Sequence, residues 1–383
     1  MKKYTTTIYD LAFGGAGVGR VDGKICFVNF ALPGEEVIFT VDKETSSYIK
    51  GSIADLRKAS PDRTAPVCRY YGICGGCQYQ HLSYEKELVY KKKQVEELMQ
   101  RIGGLRDFKS EIVASGDCYN YRSSITLHKS SEGYGFCRDN SNEVVPIQEC
   151  SIASKAINKI LPELSNDAQK DRVTLKEDHQ GNVWRSDKTT DKFFTDNYNS
   201  KEMFSSPRIF SQCNRYISLK IIEELNQWLS EASKDAVFFD VYCGAGFFSF
   251  LLPEYLLKVG IDYEGLSIEC AKKTVKKYGL KGYGFFKGDV EKSFADVFNK
   301  SKAQSNILLL DPPRDGLDKQ FLAWLGANKD ITTIYYISCD PAKMARDIKI
   351  LATSGNWVLN RFKIFDMFCR TAHIECLAQL RVE

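Results

Sequence analysis

Short apolar runs separated by turn residues fill the first sixty positions of the chain. Runs of β-branched and aromatic residues occur at 8–11, 25–28 and 37–41, with the glycine-rich stretch 14–19 and Pro33-Gly34 between them. Strands this short, with turns between them, predict a small barrel of about five strands. No helical periodicity follows the glycines, so we do not interpret the stretch as a dinucleotide-binding fingerprint.

Helical spacing of apolar residues first appears after a turn-rich linker at 60–66. It predicts a helix over 83–102 that ends at Gly103-Gly104. Three consecutive lysines at 91–93 are typical of a solvated helix face, although such a run also suits contact with phosphate. The region that follows, 110–205, has the short β-type runs of a mostly β domain.

From Pro207 onward, helical patterns alternate with apolar strands, which predicts a doubly wound parallel sheet. Candidate ligand-binding residues follow four of these strands, at the edge where open α/β sheets bind their ligands: Gly244, Asp262, Asp289 and Asp311. The turn Gly244-Ala245-Gly246 lacks the third glycine that accompanies a pyrophosphate. The crevice therefore suits S-adenosylmethionine better than a nicotinamide dinucleotide.

Two residues near the end of this sheet are candidates for catalysis. An apolar run at 334–338 ends abruptly at Cys339, so a buried strand presents this thiol at the ligand-binding edge, where a nucleophile would stand. The alternative is a small buried apolar residue, as most free cysteines are. His373 and Glu375 flank Ile374 and are expected on one side of a strand, where Glu375 is a candidate general base. The alternative is an edge-strand acid that faces water.

A third cluster predicts a metal-type site. Cys68, Cys74 and Cys77 follow a C-x5-C-x2-C spacing, and adjacent glycines allow the backbone to fold tightly around an ion or cluster. The alternative is three unrelated core thiols. A fourth ligand must come from downstream, and spacing does not choose among the available residues, which are Cys118, Cys137 and Cys150. Zinc and an iron-sulfur cluster both accept four thiolates, so both remain open.

Composition narrows the class of protein. The chain has 383 residues, 43% of them hydrophobic and 27% charged, which predicts a folded protein of two or three domains. A net charge of +4 permits an anionic partner without requiring one. The chain has thirteen cysteines, an odd number, and no secretory signal. We therefore do not expect the cysteines to form a framework of disulfides. With no apolar run of about twenty residues, we expect a cytoplasmic protein without a membrane segment.

Taken together, the motifs resemble those of 5-methyluridine RNA methyltransferases of the iron-sulfur type that carry a TRAM domain, a small OB-like barrel. The resemblance covers nearly the whole chain. Six ordered segments carry it: C-x5-C-G-G-C at 68–77, F-x-Q-x-N at 210–214, D-x-Y-C-G-x-G at 240–246, D-P-P-R at 311–314, S-C-D-P at 338–341 and H-x-E at 373–375.

The resemblance implies an α/β fold with three parts. The TRAM barrel would occupy 1–58, and a central, mostly β iron-sulfur and RNA-binding domain 59–205. A class I S-adenosylmethionine-dependent catalytic domain with a Rossmann-like doubly wound sheet would occupy 206–383. The helix predicted at 83–102 is expected to pack with this catalytic domain.

The resemblance also implies roles for individual residues. A 4Fe-4S cluster with a structural role would be held by four cysteines: Cys68, Cys74, Cys77 and Cys150. S-adenosylmethionine would be surrounded by Gln212, Tyr242, Gly244, Asp262, Asp289 and Asp311. Cys339 would be the nucleophile and Glu375 the base in methylation of a uridine at carbon 5, with Phe210 and Arg314 in contact with the RNA. The RNA is expected to be ribosomal rather than transfer RNA, and the protein a monomer.

Three departures from the family pattern bear on activity. Asp340 stands where the family has Asn, and its charge is expected to raise the pKa of Cys339 unless Arg314 or Arg346 neutralises it. Phe368-Cys369-Arg370 replaces F-P-Q, and Phe247 replaces a polar residue.

Two rival functions remain at this stage. The Asp-Pro-Pro turn also occurs in enzymes that methylate amino nitrogens, a reaction that would need neither Cys339 nor Glu375. The departures also suit an RNA-binding protein that has lost turnover.

Overall fold

The N-terminal part of the chain is a curved sheet. The computed structural model describes residues 2–164, 170–188, 190, 192–254, 256–355 and 357–382. Six strands form the first sheet among them, in the order β1-β5-β6-β4-β3-β2. Their bounds are β1 Lys3–Thr7, β2 Asp10–Leu11, β3 Gly17–Val21, β4 Lys24–Asn29, β5 Glu36–Glu44 and β6 Tyr48–Lys58. The expected number was about five, and the short strand β2 accounts for the difference.

The curvature of this sheet brings β1 back towards β3. The hydroxyl of Thr6 donates to the carbonyl of Arg20 at 2.9 Å and accepts from its N–H at 3.2 Å. Alternate side chains of the strands, among them Val28 and Phe39, are fully buried inside the curve. The sheet therefore encloses its own small hydrophobic core.

Helix α1, Tyr84–Arg101, begins after Ser83 and ends at Ile102, as its apolar spacing predicts. Its buried face carries Val95 and Met99, which pack in the same core as the large C-terminal sheet. Lys91 lies on this face too, and its ammonium pairs with Glu87 at 2.8 Å and Asp366 at 2.7 Å. The prediction of a solvated face is therefore wrong for Lys91, because two buried carboxylates replace its water.

The central region forms a second sheet with the order β10-β9-β8-β11-β12, followed by a separate hairpin of β13 and β14. The elements are β7 Glu111–Val113, β8 Ser124–Ser130, β9 Gly133–Cys137, β10 Val144–Pro146, α2 Lys155–Ile160, a 3₁₀ turn at Leu161–Glu163, β11 Arg172–Glu177, β12 Val183–Arg185, β13 Phe194–Tyr198 and β14 Lys201–Ser205. Strand β7 belongs to neither, because it pairs with the last sheet of the molecule.

The C-terminal region is a sheet covered by helices. Its elements are α3 Arg215–Leu229, β15 Val237–Val241, α4 Phe247–Leu251, β16 Leu257–Asp262, α5 Gly265–Tyr278, β17 Tyr283–Lys287, α6 Val290–Ser301, β18 Asn306–Leu310, α7 Lys319–Ala327, β19 Ile331–Ser338, α8 Pro341–Ser354, β20 Trp357–Phe365 and β21 Glu375–Val382. The order is β17-β16-β15-β18-β19-β21-β20-β7.

The direction of the strands locates a crevice in this sheet. Strands β15 to β19 are parallel, whereas β21 runs antiparallel to both of its neighbours. The strand order reverses between β15 and β18: the connection from β15 leads to β16 on one side, and the connection from β18 leads to β19 on the other. Apolar cores cover both faces. In the described part of the chain, no helix has the length and apolar character needed to cross a membrane.

Candidate active site

The loop after β15 has a backbone that few residues other than glycine adopt. Tyr242, Gly244 and Gly246 all have positive φ, at 66°, 53° and 83°. A Cβ at Gly246 would lie 2.8 Å from the Phe250 ring, so a larger residue does not fit. Gly244 N–H donates to the Asp262 carboxylate at 2.9 Å, which joins this loop to the end of β16.

Asp262 supports the neighbouring backbone. Its second carboxylate oxygen accepts from Glu264 N–H at 2.8 Å. Burial raises the pKa of the Asp262 carboxyl, and the two backbone donors oppose that rise. The side chain expected to receive a ligand thus also shapes the crevice.

Tyr242 and Asp289 lie at the two strand ends on either side of Asp262. The Tyr242 hydroxyl donates to Glu291 at 3.1 Å. Asp289 precedes α6, and its side chain is 44% exposed, with one carboxylate oxygen 3.1 Å from the Lys292 ammonium; the other oxygen is covered and has no hydrogen-bond partner among the described residues. A buried acceptor of this kind is suited to a ligand donor.

Asp311 follows β18, next to the Tyr242 loop. Burial, together with the charges of Asp240 and Asp262, raises the pKa of its carboxyl to about 7. Burial also raises the pKa of Asp240, to about 6, although Ser249 donates to this carboxylate through both its N–H and its hydroxyl. Three acids are therefore gathered along one edge of the sheet.

Cys339 and Glu375 come from neighbouring strands. Ser338 at the end of β19 is paired with Cys376 in β21, so the next positions along the two strands are Cys339 and Glu375. Burial and the charge of Glu375 raise the pKa of the Cys339 thiol against the opposing charge of Arg314, and the net result is a pKa of about 12. Cys339 is half-buried rather than part of the core.

Glu375 is only 6% exposed. Burial raises its pKa well above the ordinary value, and the charge of Asp311 contributes. The alternative of an edge-strand acid facing water is wrong, because β21 has a partner strand on each side.

His373 lies before β21, so the expectation that it shares a strand with Glu375 is wrong. The hydroxyl of Thr371 accepts from His373 N–H at 3.2 Å, and Thr371 N–H donates to Phe368 at 3.1 Å. These bonds form a turn in place of strand pairing. The His373 ring lies beside Arg314, with Nε2 at 3.3 Å from the guanidinium. Burial lowers the pKa of His373 to about 4, and Arg314 adds to the effect.

Asp340 caps helix α8. Its carboxylate accepts from the N–H groups of Ala342 and Lys343, both at 3.0 Å. Its expected neutralisation by Arg314 or Arg346 is not what the structure has, since Arg346 pairs with Asp347 at 2.7 Å. Backbone donors at the positive end of the helix take the charge instead, and Asp340 is the smallest of the influences on Cys339.

The F-x-Q-x-N segment forms the loop before α3. Phe210 is 73% exposed and Gln212 half-buried, while Asn214 caps α3 and donates to Ser115 at 3.1 Å. The charge of Glu375 acts on Cys213, so the loop borders the candidate base. A buried lysine that sequence reasoning missed, Lys176, donates to the loop carbonyls of Ser206, at 2.9 Å, and Ile209.

Arg122 is a second residue that sequence reasoning missed, because no motif marks it. Its backbone bridges to Ala153 on one side and Asn214 on the other. Its charge acts on Cys150 and Cys213 and also on His373. It therefore lies between the cysteine-rich region and the candidate active site.

Four of the cysteines in the central region influence one another. Burial raises the pKa of Cys74 to about 11 and that of Cys77 to about 12, with further rises from the charges of Cys68 and Cys150. Cys137 also acts on Cys74. In the parts of the chain that the structure covers, no group of three or more His, Cys, Asp or Glu residues has the geometry of a metal site.

Cys118 has a different neighbour. Its sulfur lies 3.3 Å from the guanidinium of Arg370, which also donates to Glu87 at 3.2 Å and to the carbonyl of Leu82 at 2.9 Å. The departure at Cys369-Arg370 therefore has a structural use, since Arg370 ties the segment before β21 to helix α1.

The sheet order and its crevice define a class I methyltransferase domain. Matches to known protein families support this class and extend it to the rest of the chain. A methyltransferase-domain model matches residues 232–323. A TRAM-domain model matches 2–54, and the model of the tRNA (uracil-5-)-methyltransferase family matches 292–382.

Relatives match along the whole chain. An "uncharacterized RNA methyltransferase" of Aquifex aeolicus is 30% identical over 100% of this chain and 99% of its own length. The 23S rRNA (uracil(1939)-C(5))-methyltransferase RlmD of Histophilus somni is 28% identical over 98% of this chain and 95% of its own. The chain therefore belongs to the RNA (uracil-5-)-methyltransferase family whose members carry a TRAM domain.

A solved structure has the same fold. The tRNA (uracil-54, C5)-methyltransferase of Pyrococcus abyssi, in complex with S-adenosyl-L-homocysteine, superposes with a TM-score of 0.72 at 22% identity. The match covers 98% of this chain and 100% of that one.

Proposed function

We propose that this protein transfers a methyl group from S-adenosylmethionine to carbon 5 of a uridine in RNA, and that 23S ribosomal RNA is its substrate. The observation that carries the proposal is the placement of a thiol and a buried carboxylate, Cys339 and Glu375, at adjacent ends of β19 and β21. The name of the Histophilus somni relative supports ribosomal RNA as the substrate.

Cys339 supplies the first bond of the reaction. Carbon 5 of uracil is too weak a nucleophile to attack a methyl group directly. The Cys339 thiolate adds to carbon 6, and the electrons of the double bond move towards carbon 5 and the carbonyl oxygen at carbon 4. Arg314 favours this step because its charge lowers the pKa of the thiol. Carbon 5 then takes the methyl group, and S-adenosylhomocysteine departs.

Glu375 completes the reaction. Its carboxylate removes the proton from carbon 5, the electrons of that C–H bond restore the double bond, and the bond between Cys339 and carbon 6 breaks. The buried surroundings that raise the pKa of Glu375 make the ionised carboxylate a strong proton acceptor. The nucleophile is released as a thiolate.

The methyl donor suits the crevice at the carboxyl ends of β15 to β18. We assign its binding to Gln212, Tyr242, Gly244, Asp262, Asp289 and Asp311. The unpartnered buried oxygen of Asp289 supports this assignment, and so does the open space beside Gly244, where no atom lies within 4 Å of the position that a Cβ would take.

RNA contacts extend from this edge of the molecule. The exposed ring of Phe210 is suited to stack on a base that has been splayed out, and Arg314 is suited to contact the bound RNA beside Cys339. We further propose that the N-terminal sheet is an OB-like RNA-binding barrel, on which Phe27 and Tyr48 form an aromatic pair beside Lys50.

The covalent step is tested with Glu375→Gln, which keeps the shape of the base but removes its proton affinity. The variant is incubated with S-adenosylmethionine and fragments of either ribosomal or transfer RNA. We expect a covalent protein-RNA band on a denaturing gel in the reaction with ribosomal RNA and no band in the reaction with transfer RNA. Cys339→Ala is the matched control and should give no band.

Other outcomes would contradict the proposal. A band with transfer RNA alone would change the substrate. Methyl transfer by the wild-type protein without any band in Glu375→Gln would exclude attack through carbon 6, as an enzyme acting on an amino nitrogen would behave. RNA binding without transfer would favour a protein that has lost turnover.

We also propose that Cys68, Cys74, Cys77 and Cys150 hold a 4Fe-4S cluster. The chemistry of the donor set supports it: four thiols influence one another electrostatically, and Gly76 N–H donates to the Cys74 sulfur at 3.4 Å, as backbone donors do around cluster sulfurs. The cluster would act as a structural cross-link between the 68–77 loop and Cys150.

Iron analysis of anaerobically purified protein tests the cluster. We expect about four iron atoms per chain in the wild-type protein, fewer in Cys74→Ser, and an unchanged content in Cys118→Ser, whose thiol lies beside Arg370 instead. Zinc in place of iron, or equal loss in both variants, would contradict the proposed ligand set.

A further inference from the structure

The end of the cysteine-rich loop is bonded to the segment that leads into Glu375. The N–H groups of Gln78 and Tyr79 both donate to the carbonyl of Arg370, at 2.9 and 3.0 Å. The side-chain oxygen of Gln78 accepts from Ala372 N–H at 2.8 Å, and its amide nitrogen donates to the carbonyl of Gly75 at 2.8 Å. One side chain thus connects the loop with residue 372.

The segment before β21, residues 370–374, which we call the tail segment, is also fixed at Arg370. It therefore has little freedom to move independently. Arg370 has a positive φ of 66°, which is unfavourable for a residue with a side chain. Its N–H donates to Glu87 at 2.7 Å, and its guanidinium donates to the carbonyl of Leu82. These bonds hold the strained backbone in place.

Ala372 lies three residues before Glu375 in the sequence. The intervening turn is short, and Glu375 itself is paired with Phe365 in β20. A loss of the bond at Ala372 therefore frees the segment on one side of the base only. Cys339 is held by different elements, β19 and α8.

We propose that Gln78 is a positioning residue for the base: by holding Ala372 it sets the position of the Glu375 carboxylate relative to carbon 5. This inference rests on the proposed function. Attack by Cys339 and methyl transfer precede proton removal, so loss of Gln78 slows the step in which the carbon 5 proton leaves and the bond to Cys339 breaks. The covalent adduct should then persist.

Two variants separate the contacts of Gln78. Gln78→Leu removes both side-chain bonds at nearly constant volume. Gln78→Glu keeps an acceptor for Ala372 N–H but loses the donor to Gly75. Gln80→Leu is the matched control, because Gln80 lies in the same loop and accepts from Cys68 N–H at 3.0 Å rather than from the tail.

The experiment follows formation and decay of the adduct in single-turnover reactions with ribosomal RNA, quenched in denaturant. In Gln78→Leu we expect decay to slow by about 10- to 100-fold, because small displacements of a catalytic group have effects of this size. Formation should change much less, and Gln78→Glu should show the smaller decay effect. Gln80→Leu should show no selective effect on decay.

A second readout does not depend on activity. Hydrogen exchange of the peptide spanning 370–376 should become faster in Gln78→Leu, whereas the peptide spanning 334–340 around Cys339 should be unchanged. If Gln78→Leu is poorly folded, Gln78→Glu is used for both the adduct kinetics and the exchange measurement, with a smaller effect expected in each.

The inference fails if Gln78→Leu slows formation and decay equally, or changes neither, while Glu375→Gln accumulates adduct. It also fails if Gln80→Leu accumulates adduct to the same level as Gln78→Leu. Absence of adduct in Glu375→Gln itself would instead refute the proposed function, so the two failures are distinguishable.

Discussion

At the junction of α1 with the segment before β21, two acids and two bases lie within hydrogen-bonding distance of one another. We call Glu87, Lys91, Asp366 and Arg370 the charge junction. All four are buried. Burial alone would lower the pKa of Lys91, but Asp366 and Glu87 outweigh it and raise the pKa, so the ammonium stays charged.

The carboxyl edge of the sheet carries buried acids with a different environment. We call Asp240, Asp262, Asp311 and Glu375 the acidic edge. Among the described residues, Asp240 accepts from the N–H and the hydroxyl of Ser249, and Asp262 accepts from two backbone N–H groups. Burial raises the pKa of all four acids, and neighbouring acids increase the rise for Asp240, Asp311 and Glu375.

The difference indicates that the charged residues of the charge junction have a structural role and that those of the acidic edge have a functional one. Opposite charges that satisfy one another fix the packing of two distant segments. Acids gathered without a cation in direct contact cost stability and are typical of sites that bind ligands or move protons. The two regions should therefore respond in opposite ways when a charge is removed.

The largest effect is expected at the charge junction. Lys91→Met leaves Asp366 buried without its cation and leaves Glu87 with Arg370 alone, so it should lower the free energy of unfolding by about 3–5 kcal/mol. Lys92→Met is the control, because its side chain is 40% exposed and such surface changes stay within about 0.5 kcal/mol. Denaturant titration followed by tryptophan fluorescence measures both. Equal stability of the two variants would show that the junction is not compensated as described.

Local patterns predicted the acidic edge better than the charge junction. The run before Cys339, the strand ends at Asp262 and Asp311, and the helix at 83–102 each follow from residues within a few positions. Lys91 looked like part of a solvated lysine run, because its partner Asp366 lies 275 positions away in the sequence. The structural role of Arg370 was missed for the same reason, since its contacts at Leu82 and Glu87 lie 288 and 283 positions away.

One other difference had a local signal in the sequence. An acid directly before a proline at a helix start is typical of a cap, so the role of Asp340 was available from Asp340-Pro341. Strand β7, at the edge of the large sheet, had no such signal: it has three residues, and only its pairing with β20 identifies it.

The smaller effect is expected at the acidic edge, and it has the opposite sign. The pKa of Asp311 in the folded protein, about 7, lies above its ordinary value of 3.8. Its protonated form is favoured by folding, so this contribution to stability is complete below about pH 4 and is lost as the pH rises through 7.

Asp311→Asn is neutral at every pH. Relative to the ligand-free wild-type protein, its melting temperature should therefore rise between pH 4 and 7, while its binding of S-adenosylmethionine weakens. Asp315→Asn, at an exposed position four residues later, is the matched control for the loss of a carboxylate. Melting curves across this pH range, with binding measured at neutral pH, test the prediction. If Asp311→Asn instead loses stability relative to the wild-type protein as the pH rises, the charge of Asp311 is balanced by a cation, as are the acids of the charge junction.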